Sequence, residues 1–285
     1  MAGGGVVAFR PGSVGELCEA LTEPGACWIE GSGSSASFRV GSTAGARTVR
    51  LDGLSEIVDL DPANQVAVVQ AGASLQKLQT ALETVGHCLP YDPYLGAGTV
   101  GGALSMNLPH GLEAKHGSWR DWVLGLTVAR PDGKLARCGS RVVKNVAGYD
   151  VAKMFVGARG WLGVVAEVIL RTFPRPHPPA ACLEQGAPLS AGPLWIQRTL
   201  PQDAIAAREA AGDRLCLFDP GTFTLVAALP CDESLPRFDG DWVLRRGCGN
   251  QNAVVEEAMQ RRLMLRAKAI FDPDGKLNPG EWGEL

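Results

Sequence analysis

The sequence predicts a two-part α+β protein: two mixed α/β subdomains over 1–176, then a small, shortened α+β domain over 177–285. Three observations predict this. Short strand-like runs alternate with capped amphipathic helices as far as Thr172. The 36 glycines in 285 residues are about double the usual share. Most stand singly in apolar sequence, which reads as tight turns and close backbone approaches. A proline seam, PRPHPP at 174–179, marks the best boundary.

Ser13-Val14-Gly15-Glu16 has the form of a capping box. Val14, Leu17 and Leu21 then fall on one helical face, and Pro24-Gly25 stops the helix. ACWIE at 26–30 reads as a strand broken by GSGSS at 31–35. Strands follow at Thr48–Asp52, Ile57–Leu60 and Val66–Ala71, the last two joined by the turn Asp61-Pro62-Ala63-Asn64. Ser74 caps a helix with Leu75, Leu78, Leu82 and Val85 on one stripe, closed by Gly86.

The segment Pro90–His116 has no clear period and contains GAGTVGGALSMN, which reads as a second glycine loop. VLGLTVAR and KLARCG flank the turn Pro131-Asp132-Gly133 as a hairpin. Asp150 is expected to cap a short helix ending at Gly157, and Gly163–Thr172 reads as a buried strand. Past the seam, strands are expected at 194–199, 214–218, 223–229 and 242–246, with a helix at 202–211. This part resembles a shortened ferredoxin-like layer. A long helix over 253–271 is expected to pack on that sheet through Val255, Met259, Leu263 and Ala267, with Arg261, Arg262, Arg266 and Lys268 opposite.

A formal net charge of −3 argues against nucleic acid or an anionic membrane as the main partner. No apolar run reaches about 18 residues, so no membrane span is expected. The N-terminal MAGGGVVAFRPG lacks the regions of a signal peptide, which points to a cytoplasmic location. The eight cysteines lie too far apart for a compact metal site and read as reduced thiols. No metal is expected. Trp119, Trp122, Trp161 and Trp195 read as core or interface anchors, and His110 and His116 as surface or capping residues.

GSGSSA at 31–36 matches the letters of a dinucleotide fingerprint, with Asp52 about 20 residues on. The context does not match, because SFRVGSTAGARTVRL carries no helical face. Placed just after a buried strand, however, successive glycine amides form a nest suited to a pyrophosphate. The bland alternative is a polar Gly-Ser loop. Thr99-Val100-Gly101-Gly102-Ala103 suits burial against a flat ligand, and Gly160-Trp161-Leu162-Gly163-Val164-Val165 offers bare backbone at a strand start.

PYDPYLGAGTVGGALSMN, GSWRDWVLG, VVKNVAGYDVAKMFVGARGWLGVV and the tail FDPDGKLNPG resemble the FAD-binding subunit of bacterial glycolate oxidase. That group has the vanillyl-alcohol-oxidase type of flavoprotein fold, a PCMH-type FAD-binding fold. The resemblance covers about residues 10–176 and 260–281. It implies that Gly31, Ser32, Gly33, Ser34 and Ser35 cradle the FAD pyrophosphate. Thr99, Val100, Gly101 and Gly102 would line the cofactor beside the flavin or ribityl chain. Gly163, Val164 and Val165 would clasp it through backbone groups, and Asn278 would approach the isoalloxazine edge. GSGSS holds no His or Cys for a covalent link, so noncovalent FAD is expected. The resemblance puts a small residue where Trp161 stands.

The implied partners are a catalytic flavoprotein subunit and an iron–sulfur subunit, with any membrane association made through them. Oxidation of a 2-hydroxy acid needs a base and cations for the carboxylate. Arg120, Lys144 and Arg175 are candidate anion ligands, but no catalytic constellation emerges. Two alternatives stay open: a self-sufficient flavin dehydrogenase of a small hydroxy acid or alcohol, and a structural subunit with a degenerate flavin site.

Overall fold

A computed structural model describes residues 8–36, 39, 43–91, 98–107, 110–141, 150–175, 184–185, 193–239, 242–246, 254–255 and 258–281. Most of KNVAGYD with Lys144, the segment 92–97, His177, Cys182, Cys248 and the seam from 176 onward lie outside the described residues.

The chain opens with α1 (Val14–Thr22), where the Ser13 hydroxyl accepts from the Glu16 amide at 3.2 Å. Glu16 returns its carboxylate to the Gly12 amide at 2.8 Å, one residue earlier than a capping box requires. β1 (Cys27–Glu30) and β2 (Arg47–Arg50) pair in parallel. Then come β3 (Ile57–Asp61), β4 (Val66–Gln70), α2 (Leu75–Thr84) and β5 (His87–Cys88). The Ser74 hydroxyl caps α2 by accepting from Lys77 N at 3.1 Å.

The stretch read as a second glycine loop is helical from Val100. α3 (Val100–Met106) is capped by Thr99, whose hydroxyl accepts from Gly102 N at 3.2 Å. Two glycines at its start lower helix propensity, but Val100, Ala103 and Leu104 bury a face that pays for it. α4 (Glu113–His116) and α5 (Trp119–Trp122) lead into the hairpin of β6 (Val123–Ala129) and β7 (Leu135–Gly139). α6 (Ala152–Phe155) follows, its N-cap being Val151 rather than Asp150. β8 (Val164–Arg171) and β9 (Phe173–Pro174) close this part.

β3-β4-β8-β6-β7 form one antiparallel sheet. Its central strand β8 is buried on both faces. Val165, Val168 and Leu170 meet α2, α3 and the tryptophans Trp119 and Trp122. Val164 and Ala166 meet Leu17 and Leu21 of α1 with Ile29 and Val49. A cleft opens between these layers.

A second antiparallel sheet contains β10 (Glu184–Gln185), β11 (Leu194–Arg198), β12 (Leu215–Asp219), β13 (Thr224–Ala228), β14 (Trp242–Arg246) and β15 (Val254–Val255) in the order β10-β12-β13-β11-β14-β15. α7 (Ala204–Ala211) lays Ala204, Ala207 and Ala211 against Trp195, Phe218 and Leu225.

α8 (Ala258–Phe271) corrects the expectation for the last helix. It packs on the first core through Met264, Ala267 and Phe271, while Leu263 is 56% exposed. Lys268, expected on the solvent face, is 1% exposed and joins that buried stripe. Its amino group donates to Trp161 O and Leu277 O, both at 2.8 Å, and to Asp272. Three partners on the right side of the helix outweigh the apolar pattern. Among the described residues no helix is long and apolar enough to cross a membrane. The six described cysteines are free thiols.

Candidate functional site: a cleft closed by the C-terminal tail

A cleft of about 700 Å³, including space open to solvent, lies where three distant segments converge. β1 delivers the first wall. Its apolar run ends at Glu30, and the chain turns out through Gly31, Ser32, Gly33, Ser34 and Ser35, all of which line the cleft. The second wall is the start of α3, presenting Thr99, Gly101 and Gly102. The third is the turn Arg159–Gly160 with Val164 and Val165 at the start of β8.

The first two walls touch without room for side chains. A Cβ on Gly31 would overlap Thr99 Oγ1, and one on Gly98, at φ 72°, would overlap Ser34 Oγ. Glycine is required at both places by close approach. Ser32 and Ser34 hydroxyls lie 3.4 Å apart at the loop tip.

The second wall differs from a nest. Val100 N donates to Ala73 O at 2.9 Å and Gly101 N to Ala71 O at 2.7 Å, while Gly102 N is held by Thr99. These amides are spent inside the fold, so α3 offers bare Cα surface and one threonine side chain. Val100 itself is 0% exposed and points into the core. Gly163 sits behind the third wall, where a Cβ would meet Val128 Cγ1 at 2.6 Å.

Asn278 is also behind the walls rather than in them. Its Oδ1 accepts from Ile29 N and its Nδ2 donates to Arg159 O, both at 2.7 Å. Its own amide donates to Cys27 O at 2.8 Å, and Leu277 bridges Cys27 in parallel. The tail therefore staples the first wall to the third. Asp272 accepts from Leu277 N at 2.7 Å and from Lys276 N at 3.1 Å, tying the same tail to Lys268. Burial pulls the Lys268 amino group below its ordinary pKa, and the bond to Asp272 opposes that. Trp161 is 2% exposed with Lys268 Nζ 5.0 Å from its ring, so it packs beneath the latch.

Sequence reasoning missed Arg39, Arg159 and Glu281. Arg39 and Arg159 line the cleft, and Glu281 is buried between them. Single charged residues in turns carry no period, but an arginine between Gly157 and Gly160 was a usable signal. Asp52, the acid of the literal fingerprint, is instead paired with Arg50 at 2.9 Å. Arg175 lies 3.6 Å from Glu83 and Arg120 is exposed. His110, expected near the surface, is 0% exposed and packs on Tyr91 and Trp122, with ring centroids 5.1 and 5.0 Å away. His116 stacks edge-on with Phe173 at 5.8 Å.

A family model described as an FAD binding domain matches residues 7–139, which contain two of the three walls. Residues 7–139 are thus similar to FAD binding domains. The chain is similar to glycolate oxidase subunit GlcE of Escherichia coli, 35% identical over 164 residues, covering 57% of this chain and 46% of that protein. An uncharacterized FAD-linked oxidoreductase of Mycobacterium tuberculosis is 35% identical over 168 residues, covering 58% of this chain and 36% of that one. Glycolate oxidase subunit GlcD of Bacillus subtilis is 34% identical over 148 residues, covering 52% and 32%. The chain thus spans less than half the length of these relatives. The residues present fit FAD: the cradle at Gly31 and Gly98 excludes side chains, and the hydroxyls of Ser32, Ser34 and Thr99 supply neutral donors for a phosphate and sugar chain.

Proposed function

We propose that this chain is the FAD-binding subunit of a glycolate-oxidase-like 2-hydroxy-acid dehydrogenase complex and holds its FAD noncovalently. The observation that carries the reading is the convergence of Gly31–Ser35, of Thr99, Gly101 and Gly102, and of Val164–Val165 on one cleft. In the FAD domain the amides and hydroxyls of Gly31, Ser32, Gly33, Ser34 and Ser35 hold the pyrophosphate. Thr99, Gly101 and Gly102 give the flat surface against which the rest of the nucleotide lies, and Val100 anchors that surface from the core. Val164 and Val165 close the third side, with Gly163 keeping the turn tight. Asn278 holds the first and third walls at their spacing. Bound FAD supplies two-electron and one-electron acceptance at one centre.

Among the described residues, the ionisable side chains that line the cleft are Glu30, Arg39 and Arg159. That set binds anions and orients them, and it favours a chain that stores or relays electrons while a partner subunit handles the hydroxy acid. The partners of this reading are a catalytic flavoprotein subunit and an iron–sulfur subunit, in the cytoplasm or at the membrane through those subunits. The likeness to both GlcE and GlcD supports a multi-subunit assembly.

An absorbance spectrum of fresh protein, followed by acid precipitation, tests the reading. Flavin bands that move to the supernatant are expected. Flavin left in the pellet would contradict noncovalent binding, and colourless protein whose melting temperature FAD does not raise would remove the cofactor role. Turnover of glycolate or D-lactate by the isolated chain with an artificial acceptor would replace the subunit reading with a self-sufficient dehydrogenase.

A further inference from the structure

Two arginines face the cleft from opposite walls. Arg39 follows the Gly31–Ser35 loop. Its guanidinium lies 3.8 Å over the Trp28 ring, Nη1 donates to Ile29 O at 2.6 Å, and Nε donates to Glu281 Oε2 at 3.2 Å. Arg159 stands on the third wall at φ 54°, a left-handed backbone that non-glycine residues rarely adopt. Three contacts keep it there. Its amide donates to Ser105 O at 2.9 Å, its carbonyl accepts from Asn278 Nδ2 at 2.7 Å, and Nη1 lies 3.7 Å from Glu281 Oε1.

The Glu281 side chain is fully buried, and those of Arg39 and Arg159 are 9% and 6% exposed. A buried carboxylate that reaches guanidinium groups from two walls is a costly arrangement unless the cations are needed there. Burial pulls the Arg39 guanidinium down from its usual value, and Glu281 opposes that pull. Glu30, the acid on the same wall, is committed to Trp28 Nε1 at 3.0 Å. Strain held in place by its surroundings tends to mark a working site, and Arg159 carries it where the cleft needs a cation.

We infer that Arg39 and Arg159 form a two-arginine grip on the phosphates of the dinucleotide, with Glu281 as the positioning residue that holds the two guanidinium groups in register. The inference rests on the FAD reading above and adds to it the residues that recognise charge. Planar guanidinium groups suit phosphate oxygens in paired hydrogen bonds. Glu281 accepts a hydrogen bond from Arg39 and lies within ion-pair distance of Arg159, and both arginines line the cleft. The tail therefore sets both the spacing of the walls, through Asn278, and the aim of their cations, through Glu281.

The test is titration of the full chain, stripped of flavin, with FAD and with riboflavin, which has the ring but no phosphate. FAD affinity is expected to fall with rising salt while riboflavin affinity stays flat. Arg159→Gln and Arg39→Gln are expected to weaken FAD about ten- to a hundredfold and riboflavin less than about twofold. Glu281→Gln is expected to lower the melting temperature of the apoprotein and enlarge the rise that FAD produces, because phosphate then neutralises what Glu281 did. Glu281→Asp should restore wild-type behaviour. Equal losses for FAD and riboflavin, or salt-independent FAD binding by the wild type, would overturn the grip and leave the FAD reading standing. Wild-type protein that binds neither would overturn both.

Discussion

Two ion pairs stand at junctions of this molecule, and they are built on opposite terms. Lys268–Asp272, in the latch behind the cleft, has side chains 1% and 0% exposed, and each ion has further hydrogen bonds to the backbone. Arg198–Glu113, which joins β11 to α4, is a two-point pair at 2.8 and 3.0 Å with side chains 33% and 17% exposed. Solvent can replace either partner in the second pair but neither in the first. The latch is therefore a dry support behind the cleft, whereas the joint between β11 and α4 is partly solvated.

The largest effect expected follows from breaking the latch. Lys268→Met leaves Asp272 charged and buried and releases Trp161 O and Leu277 O. Denaturant titration should show a loss of about 3–5 kcal/mol, with flavin retention falling alongside. A loss below about 1 kcal/mol would mean that the pair is solvated like the other one. Next comes Asn278→Ala, which leaves Ile29 N and Arg159 O unsatisfied. The same measurement should show about 2–4 kcal/mol.

His110 sharpens the contrast through pH. It is buried beside Glu113 and Arg198, and burial pushes its pKa down to about 4 from 6.5. Between those values the unfolded chain binds a proton that the folded chain does not. Stability therefore falls as pH drops from 6.5 toward 4, by up to about 1.4 kcal/mol per unit. Urea midpoints at successive pH values should show that slope in the wild type and a flatter one in His110→Gln. The smallest effect is expected for Glu113→Gln at the joint, under about 1 kcal/mol, with unchanged FAD affinity. A large loss of FAD there would erase the distinction between latch and joint.

Much of the scaffold was legible because local chemistry and fold agree. Ser13 and Ser74 cap the helices they announce, and Asp132-Gly133 turns the hairpin that it should. α3 was hidden because Gly101 and Gly102 mask a helix whose only local cue is Thr99 three residues before the Gly102 amide that it holds. The face of α8 was misread because Lys268 counts as polar in any pattern, and its three acceptors come from turns that no periodicity connects to it. The glycine walls could be found from their composition and from a family likeness. Arg39, Arg159 and Glu281 could not, since what makes them a group is a meeting in space.

The bond between Ile29 and Asn278 spans 249 positions. A chain emerging from the ribosome would build β1, its glycine bend and nearly all of both sheets before the asparagine that fastens them exists. Such a distant closing contact is slow to find, so the nucleotide cradle would be among the last features to mature. A nascent chain arrested shortly before residue 276 could have most of its architecture and still fail to retain a flavin.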